Sequence, residues 1–218
     1  ENPVNTQTNP LFIYGESGLG KTHLLLAIKN YINQHDPTRN VIYVDTMDFV
    51  NEYVDAARGK DKKTSLHDIR RKYETADVLL MDDVQNLQRK SETLNMVFQI
   101  LNTMSRYGRQ IVLAADRQPQ NIDIDERYRS RFSKGSIAQV YPPDFETKYG
   151  IIKSYVDECA ELEHIPYHLS DEVMDYIART AGPNIRDLKG GINDIISTLR
   201  IEQKDTISLM YCCHYYCI

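Results

Sequence analysis

Short runs of aliphatic and β-branched residues alternate along the chain with longer stretches in which apolar positions recur three and four apart. Leu11–Tyr14, Val41–Val44, Val78–Met81, Gln110–Ala114 and Ile137–Val140 read as strands. From about Lys21 to His35, Leu24, Leu25, Ala27, Ile28, Tyr31 and Ile32 fall at helical spacing, and Pro37 ends the stretch. A further helix over Glu92 to Met104 carries Val97, Ile100, Leu101 and Met104 on one stripe, which is most simply a core-facing one. Strands alternating with helices in this way predict an α/β architecture, a parallel sheet covered by helices.

Pro142-Pro143 interrupts the alternation, because two prolines continue neither a central strand nor a helix interior. Beyond them the pattern is helical only: Phe145–Leu162, Ser170–Ala181 behind the start signal Ser170-Asp171-Glu172, and Ile185–Arg200. The expected organisation is a base domain over residues 1–142 and a small all-helical domain over residues 143–218. No internal repeat or low-complexity tract argues for a solenoid or a linker.

The 218 residues suffice for one α/β core with a small satellite. With 41% hydrophobic and 26% charged residues, disordered and fibrous readings fall away. No apolar run approaches the ~20 residues of a membrane span and no leader pattern opens the chain, so a cytoplasmic location is expected. The net charge of -5 means that any nucleic-acid contact has to be local. Cys212, Cys213 and Cys217 crowd around His214 at the end of the chain. Such soft ligands suit a metal, yet zinc sites usually pair two clusters across a loop, and Cys159 is a poor second half. The favoured reading is an atypical C-terminal end.

Residues 15 to 22 read GESGLGKT and match G-x-x-x-x-G-K-[ST] between an apolar strand and a helix. The chemistry needs those residue types. Gly15, Gly18 and Gly20 let backbone N–H groups wrap a phosphate, and the next helix presents its positive N-terminus. Lys21 is placed to reach the β- and γ-phosphates, and the Thr22 hydroxyl to hold Mg²⁺.

The third apolar run ends in Asp82-Asp83, where a metal and an attacking water have to be managed. Asp82 is the metal-side candidate beside Thr22, and Asp83 the residue that polarises water. Many hydrolysing relatives carry glutamate at that second position. Aspartate is one methylene shorter, so slow hydrolysis is expected, a timer more than a motor. Asp116 follows the fourth strand and is a candidate for orienting water or the γ-phosphate. In DERYRSRF, Arg127 and Arg131 lie four apart on one helical face. They read either as arginines acting on a neighbouring subunit's phosphates or as a solvated basic face.

Four segments together resemble the DnaA family of bacterial replication initiators, within the AAA+ ATPases. NPLFIYGESGLGKTHLLLAI resembles its phosphate-loop segment, including Leu19 in the loop and His23 after the threonine. LLMDDVQNL resembles its second Walker segment, and ADR followed by ERYRSRFSKG its sensor 1 and arginine-finger stretch. GPNIRDLKGGIN resembles its sensor 2 helix, which gives Arg186 the role of reaching back to bound nucleotide.

The resemblance implies a P-loop AAA+ fold, a three-layer core with a parallel five-stranded sheet plus an all-helical lid. ATP or ADP with Mg²⁺ is the implied cofactor and weak ATPase activity the implied reaction. It further implies an ATP-dependent head-to-tail homo-oligomeric filament, with Arg131 completing the next subunit's site. An inserted helix pair between the second and third strands, here Asp48–Thr75, is implied to line a path for single-stranded DNA. There Arg58, Lys60, Lys62 and Lys63 are candidate phosphate contacts and Val54 a candidate apolar contact. A solvated loop and a core valine are the competing readings of the same residues. Origin DNA and the replicative helicase are further implied partners, the latter through parts absent from this sequence. The usual duplex-reading helix-turn-helix is likewise absent, and MYCCHYYCI matches nothing expected of the family. Leu94, Asn95 and Met96 replace its usual acidic and glutamine positions. A helicase loader, or a regulatory relative that binds nucleotide without opening DNA, remains the alternative reading.

Overall fold

The computed structural model describes residues 8–59, 65–204, 206–207, 209–210 and 212. They group into two units, one holding residues up to Glu16 with Lys21–Val140, the other holding Ser17–Gly20 with the chain from Tyr141 onward.

In the first unit β1 (Leu11–Tyr14), β2 (Val41–Asp45), β3 (Val78–Asp82), β4 (Gln110–Ala115) and β5 (Ser136–Gln139) form one parallel sheet in the order β2-β3-β4-β1-β5. Register pairs Val44 with Met81, Leu80 with Val112 and Ile13 with Ala114. Because successive side chains in a strand point to opposite faces, β1 to β4 feed two cores. Ile13, Val78, Leu80, Val112 and Ala114 pack with Leu25 of α1 (Lys21–His35) on one face. Phe12, Leu79, Met81, Ile111 and Leu113 face the other way. There they meet α2 (Thr46–Ala57), α3 (Leu66–Glu74), α4 (Ser91–Arg106) and α5 (Glu126–Phe132). The result is a three-layer α/β core whose inner strand β3 is buried along its whole length.

The fifth strand departs from the sequence expectation. It starts one residue earlier, at Ser136, and Val140 lies past its end, donating its N–H to the Tyr14 carbonyl at 2.7 Å. As an edge strand it has β1 as its one neighbour, and Ile137 is 40% exposed. An apolar run alone does not say whether a strand is central or at the edge.

Between β2 and β3 stand α2 and α3. Asp45 caps α2, accepting the Met47 N–H at 2.7 Å, and Ser65 with Asp68 closes a capping box on α3. Phe49 and Val50 of α2 and Ile69 and Tyr73 of α3 are buried in the base core. The Lys72 ammonium and the Tyr73 hydroxyl both meet Glu52, at 2.9 and 3.1 Å, tying one helix to the other.

In the second unit α6 (Phe145–Glu163), α7 (Asp171–Thr180) and α8 (Ile185–Glu202) close around Ile152, Val156, Val173, Ile177, Ile192, Ile196 and Leu199. Asp144, Ser170 and Asn184 cap the three N-termini through their side chains. Cys212 is buried in the same core, whereas Cys213, His214 and Cys217 lie outside the described residues. No helix among the described residues is long and apolar enough to cross a membrane.

Candidate functional site

The sheet order reverses its sense around β1, and in such sheets the carboxyl ends of the strands next to the reversal make the ligand crevice. Gly15, Asp82 with Asp83, and Asp116 stand at the carboxyl ends of β1, β3 and β4. Gly15 directly follows β1 and donates its N–H to the Ala115 carbonyl at the end of β4, at 3.3 Å. Gly18 and Gly20 take φ of +82 and +93, a conformation that costs any side-chain-bearing residue and turns the loop into α1. Leu19 is buried and His23 exposed.

Lys21, 6% exposed, donates from Nζ to the carbonyls of Gly15 and Glu16 at 2.8 and 2.9 Å, so the ammonium is held inside the turn. In the next residue the Thr22 hydroxyl donates to Asp82 Oδ2 at 2.6 Å. These two oxygens, 60 residues apart in sequence, are the pair expected to hold Mg²⁺. A hydroxyl and a carboxylate are the hard donors that cation takes alongside water and phosphate, so the donor set fits it.

Asp82 is 2% exposed, and a carboxylate so buried is sustainable through the donors it accepts. Besides Thr22, the Tyr43 hydroxyl donates to Oδ2 at 3.2 Å and the Asp83 N–H to Oδ1 at 2.9 Å. Burial, and then the negative charge of Asp82, push the Tyr43 phenol up to about 12, which keeps it a proton donor. The Thr46 hydroxyl donates to the Asp82 carbonyl, fixing the end of β2 against that of β3. Neither Tyr43 nor Thr46 stands out in the sequence, and the aspartate they serve is 39 and 36 residues away.

Asp83 has φ 51 and ψ 45, in the left-handed region. Aspartate is among the few residues enriched there, and this gives a local reason for aspartate at a position where glutamate is common elsewhere. Its Oδ1 accepts the Gln85 Nε2 amide at 3.0 Å. Gln85 in turn accepts the backbone N–H of Asp116 at 3.2 Å. Asp116 itself is engaged. Arg117 forks onto its two carboxylate oxygens at 2.7 and 2.6 Å, and this pairing holds the carboxyl below the ordinary range against the opposing effect of burial.

Arg127 and Arg131 share one face of α5 and an aromatic platform that the sequence did not suggest. Phe98 of α4 meets Tyr128 of α5 edge to face, ring centroids 5.0 Å apart. Arg131 lies over Phe98 at 5.6 Å and Arg127 over Tyr128 at 4.6 Å, and both guanidinium side chains are exposed. Arg186 is exposed in the first turn of α8, in the second unit. In the helix pair, Arg58 caps the end of α2 and is exposed, and Val54 is half-buried against the base core. Lys60, Lys62 and Lys63 lie outside the described residues.

The model of the bacterial DnaA ATPase domain matches residues 1–139. The chain belongs to the DnaA ATPase-domain family. It is 38% identical over 199 residues to the chromosomal replication initiator protein DnaA of Lachnoclostridium phytofermentans, covering 90% of this chain and 42% of that protein. Over 190 residues it is 42% identical to the DnaA of Thermoanaerobacter sp., covering 87% of the chain and 41% of the relative. The chain thus spans about two-fifths of the length of these curated relatives. Among solved structures, domain III of Thermotoga maritima DnaA superposes with a TM-score of 0.84 at 35% identity, covering 97% of this chain and 84% of that one. A replication initiator DnaA bound to AMPPCP and single-stranded DNA superposes at 0.70 with 35% identity, covering 89% and 58%. Thermotoga maritima RuvB, at 16% identity and a TM-score of 0.64, shares the AAA+ fold.

Proposed function

We propose that this chain is the ATP-dependent switch of a replication initiator, binding ATP with Mg²⁺, hydrolysing it slowly and assembling head to tail on DNA. The observation that carries the reading is the convergence of Thr22 Oγ1 and Asp82 Oδ2 at 2.6 Å beside the Lys21 turn. A phosphate loop, a cation and a buried carboxylate are the parts that triphosphate chemistry requires. When bound, ATP brings the phosphoryl group and Mg²⁺ the charge that neutralises its oxygens.

Around them the protein's own groups divide the work. The N–H groups of the loop and the Lys21 ammonium bind the phosphates, and Thr22 with Asp82 holds the cation. Asp83 orients a water whose oxygen bonds to the γ-phosphorus as the bond to the β-phosphate oxygen breaks. ADP and inorganic phosphate leave, and a proton of the water moves toward the Asp83 carboxylate. Asp116 fixes the far side of that water, and Arg186 senses the nucleotide from the helical unit. Arg131, exposed on its aromatic platform, reaches a neighbouring subunit's phosphates, with Arg127 beside it. The α2–α3 pair, with Arg58 and the lysines Lys60, Lys62 and Lys63, offers phosphate contacts to single-stranded DNA, and Val54 is the apolar contact proposed there. The relative solved with AMPPCP and single-stranded DNA supports the ligand classes. The division into a nucleotide-binding base over 1–142 and a lid over 143–218 belongs to the same proposal.

Equilibrium binding of a fluorescent ATP analogue tests the site. The chain is expected to bind ATP and ADP, and Lys21→Ala to weaken both by about 100-fold or more, a loss of ~3 kcal/mol in charge-assisted phosphate contacts. Equal binding by the variant would remove the phosphate loop from the account.

A further inference from the structure

The second Walker aspartate and the fourth-strand aspartate are joined by one side chain, and its chemistry allows a single arrangement. Gln85 sits in the 3-10 turn Val84–Leu87 directly after Asp83 and is half-buried. Its Nε2 lies 3.0 Å from Asp83 Oδ1, and its Oε1 lies 3.2 Å from the Asp116 nitrogen. Carboxamide oxygen and nitrogen are assigned from their partners. Here the partners decide: a flipped amide would set oxygen against a carboxylate oxygen and NH₂ against an N–H, losing both bonds. An ionised carboxylate accepts and never donates, while a backbone N–H donates and never accepts. Bridging them at this spacing therefore takes a group that donates at one end and accepts at the other.

The surroundings give the bridge its function. Asp83 stands on a left-handed backbone, so its carboxylate is aimed by the turn and not by the strand. Gln85 holds Asp83 through Oδ1 alone, at 3.0 Å. The neighbouring carboxylate of Asp82 is committed to Thr22, Tyr43 and the Asp83 N–H. That of Asp116 is paired with Arg117. Asp83 thus has Gln85 as the side chain that sets its angle, and Gln85 is in turn set by the end of β4.

We propose that Gln85 is a positioning residue for hydrolysis. It holds the Asp83 carboxylate at the angle needed to orient water, and it ties that angle to the main chain at Asp116, so that a shift at the end of β4 is felt by Asp83. The proposal rests on the reading of Asp83 as the water-orienting group. A carboxylate displaced by the order of 1 Å in such a role costs up to about 10²-fold in rate.

The test is single-turnover ATP hydrolysis with Mg²⁺, alongside the dissociation constants for ATP and ADP. The variants are Gln85→Met, which keeps length and loses both bonds, and Gln85→Glu, which keeps the acceptor and loses the donor. Each is expected to slow hydrolysis about 10- to 100-fold while the dissociation constants move less than threefold, a split that a general loss of structure does not produce. In an Asp83→Asn background Gln85→Met is expected to have no further effect, because the residue it positions has already lost its charge. Should Gln85→Met fail to fold, Gln85→Glu and its double variant carry the comparison. Wild-type rates in both single variants, or slowing that multiplies with that of Asp83→Asn, would overturn the role of Gln85 while leaving the nucleotide site standing. A wild-type chain that binds no nucleotide would overturn the site reading, and this inference with it.

Discussion

Replacing Tyr43 by phenylalanine removes one oxygen and leaves the ring, which isolates what the hydroxyl does for Asp82. That carboxylate is 2% exposed and accepts three donors, from Thr22 at 2.6 Å, the Asp83 N–H at 2.9 Å and Tyr43 at 3.2 Å. A hydrogen bond to a charged group contributes about 1.5–3 kcal/mol, and the 3.2 Å separation is long for a hydroxyl on a carboxylate, so the low end, ~1.5 kcal/mol, is expected. The chain has no tryptophan, so urea unfolding is best followed by far-UV circular dichroism. With a slope of about 1–3 kcal/mol per molar urea, the midpoint of the base unit is expected to fall by roughly 0.5–1.5 M. The pH dependence gives a second check. The folded phenol is pushed up to about 12 from 10, so the unfolded chain ionises first. The stability that Tyr43 contributes is therefore complete below about pH 10 and declines as pH rises toward 12. Wild type and Tyr43→Phe should converge over that window. A variant as stable as wild type at pH 7.5 would mean that Asp82 needs no third donor and would refute the reasoning.

Asp83→Asn preserves a residue that tolerates the left-handed backbone and removes the charge. Single-turnover hydrolysis is expected to fall about 10²- to 10⁴-fold with ATP affinity nearly unchanged, and a rate within threefold of wild type would remove Asp83 from the chemistry. Phe98→Leu keeps apolar volume on α4 but takes away the ring beneath Arg131. ATP-dependent association is expected to weaken about two- to fivefold, matching a cation–π contribution of ~0.5–1 kcal/mol, without a change in nucleotide binding by the monomer. Equal association would mean that Arg131 needs no platform.

What the sequence made legible was local. The phosphate-loop spacing, the apolar run ending in Asp82-Asp83, and the Ser170 start of α7 each lie within a few residues, and the α/β sheet follows from their alternation. The strand β5 lies one residue earlier than its apolar run, and its place at the edge depends on which strand it pairs with and not on its own composition. Long-range contacts were invisible for the same reason. Tyr43 reaches Asp82 across 39 residues, and the Phe98–Tyr128 platform spans two helices. Gln85 is a different case: it lies two residues from Asp83, yet its role becomes apparent once the left-handed backbone at Asp83 and the amide of Asp116 are seen around it. Asp116, the candidate for orienting water or the γ-phosphate, is also paired with the adjacent Arg117, a contact that its place after β4 does not announce.

The central claim is that nucleotide state controls assembly, and sedimentation velocity tests it most directly. The purified chain would be compared in ATP, in ADP and with a single-stranded oligonucleotide, beside an Arg131→Ala variant. The account predicts larger species that need ATP, strengthen with DNA and are lost in the variant. A monomer in every condition, or assembly indifferent to nucleotide and to Arg131, would contradict it.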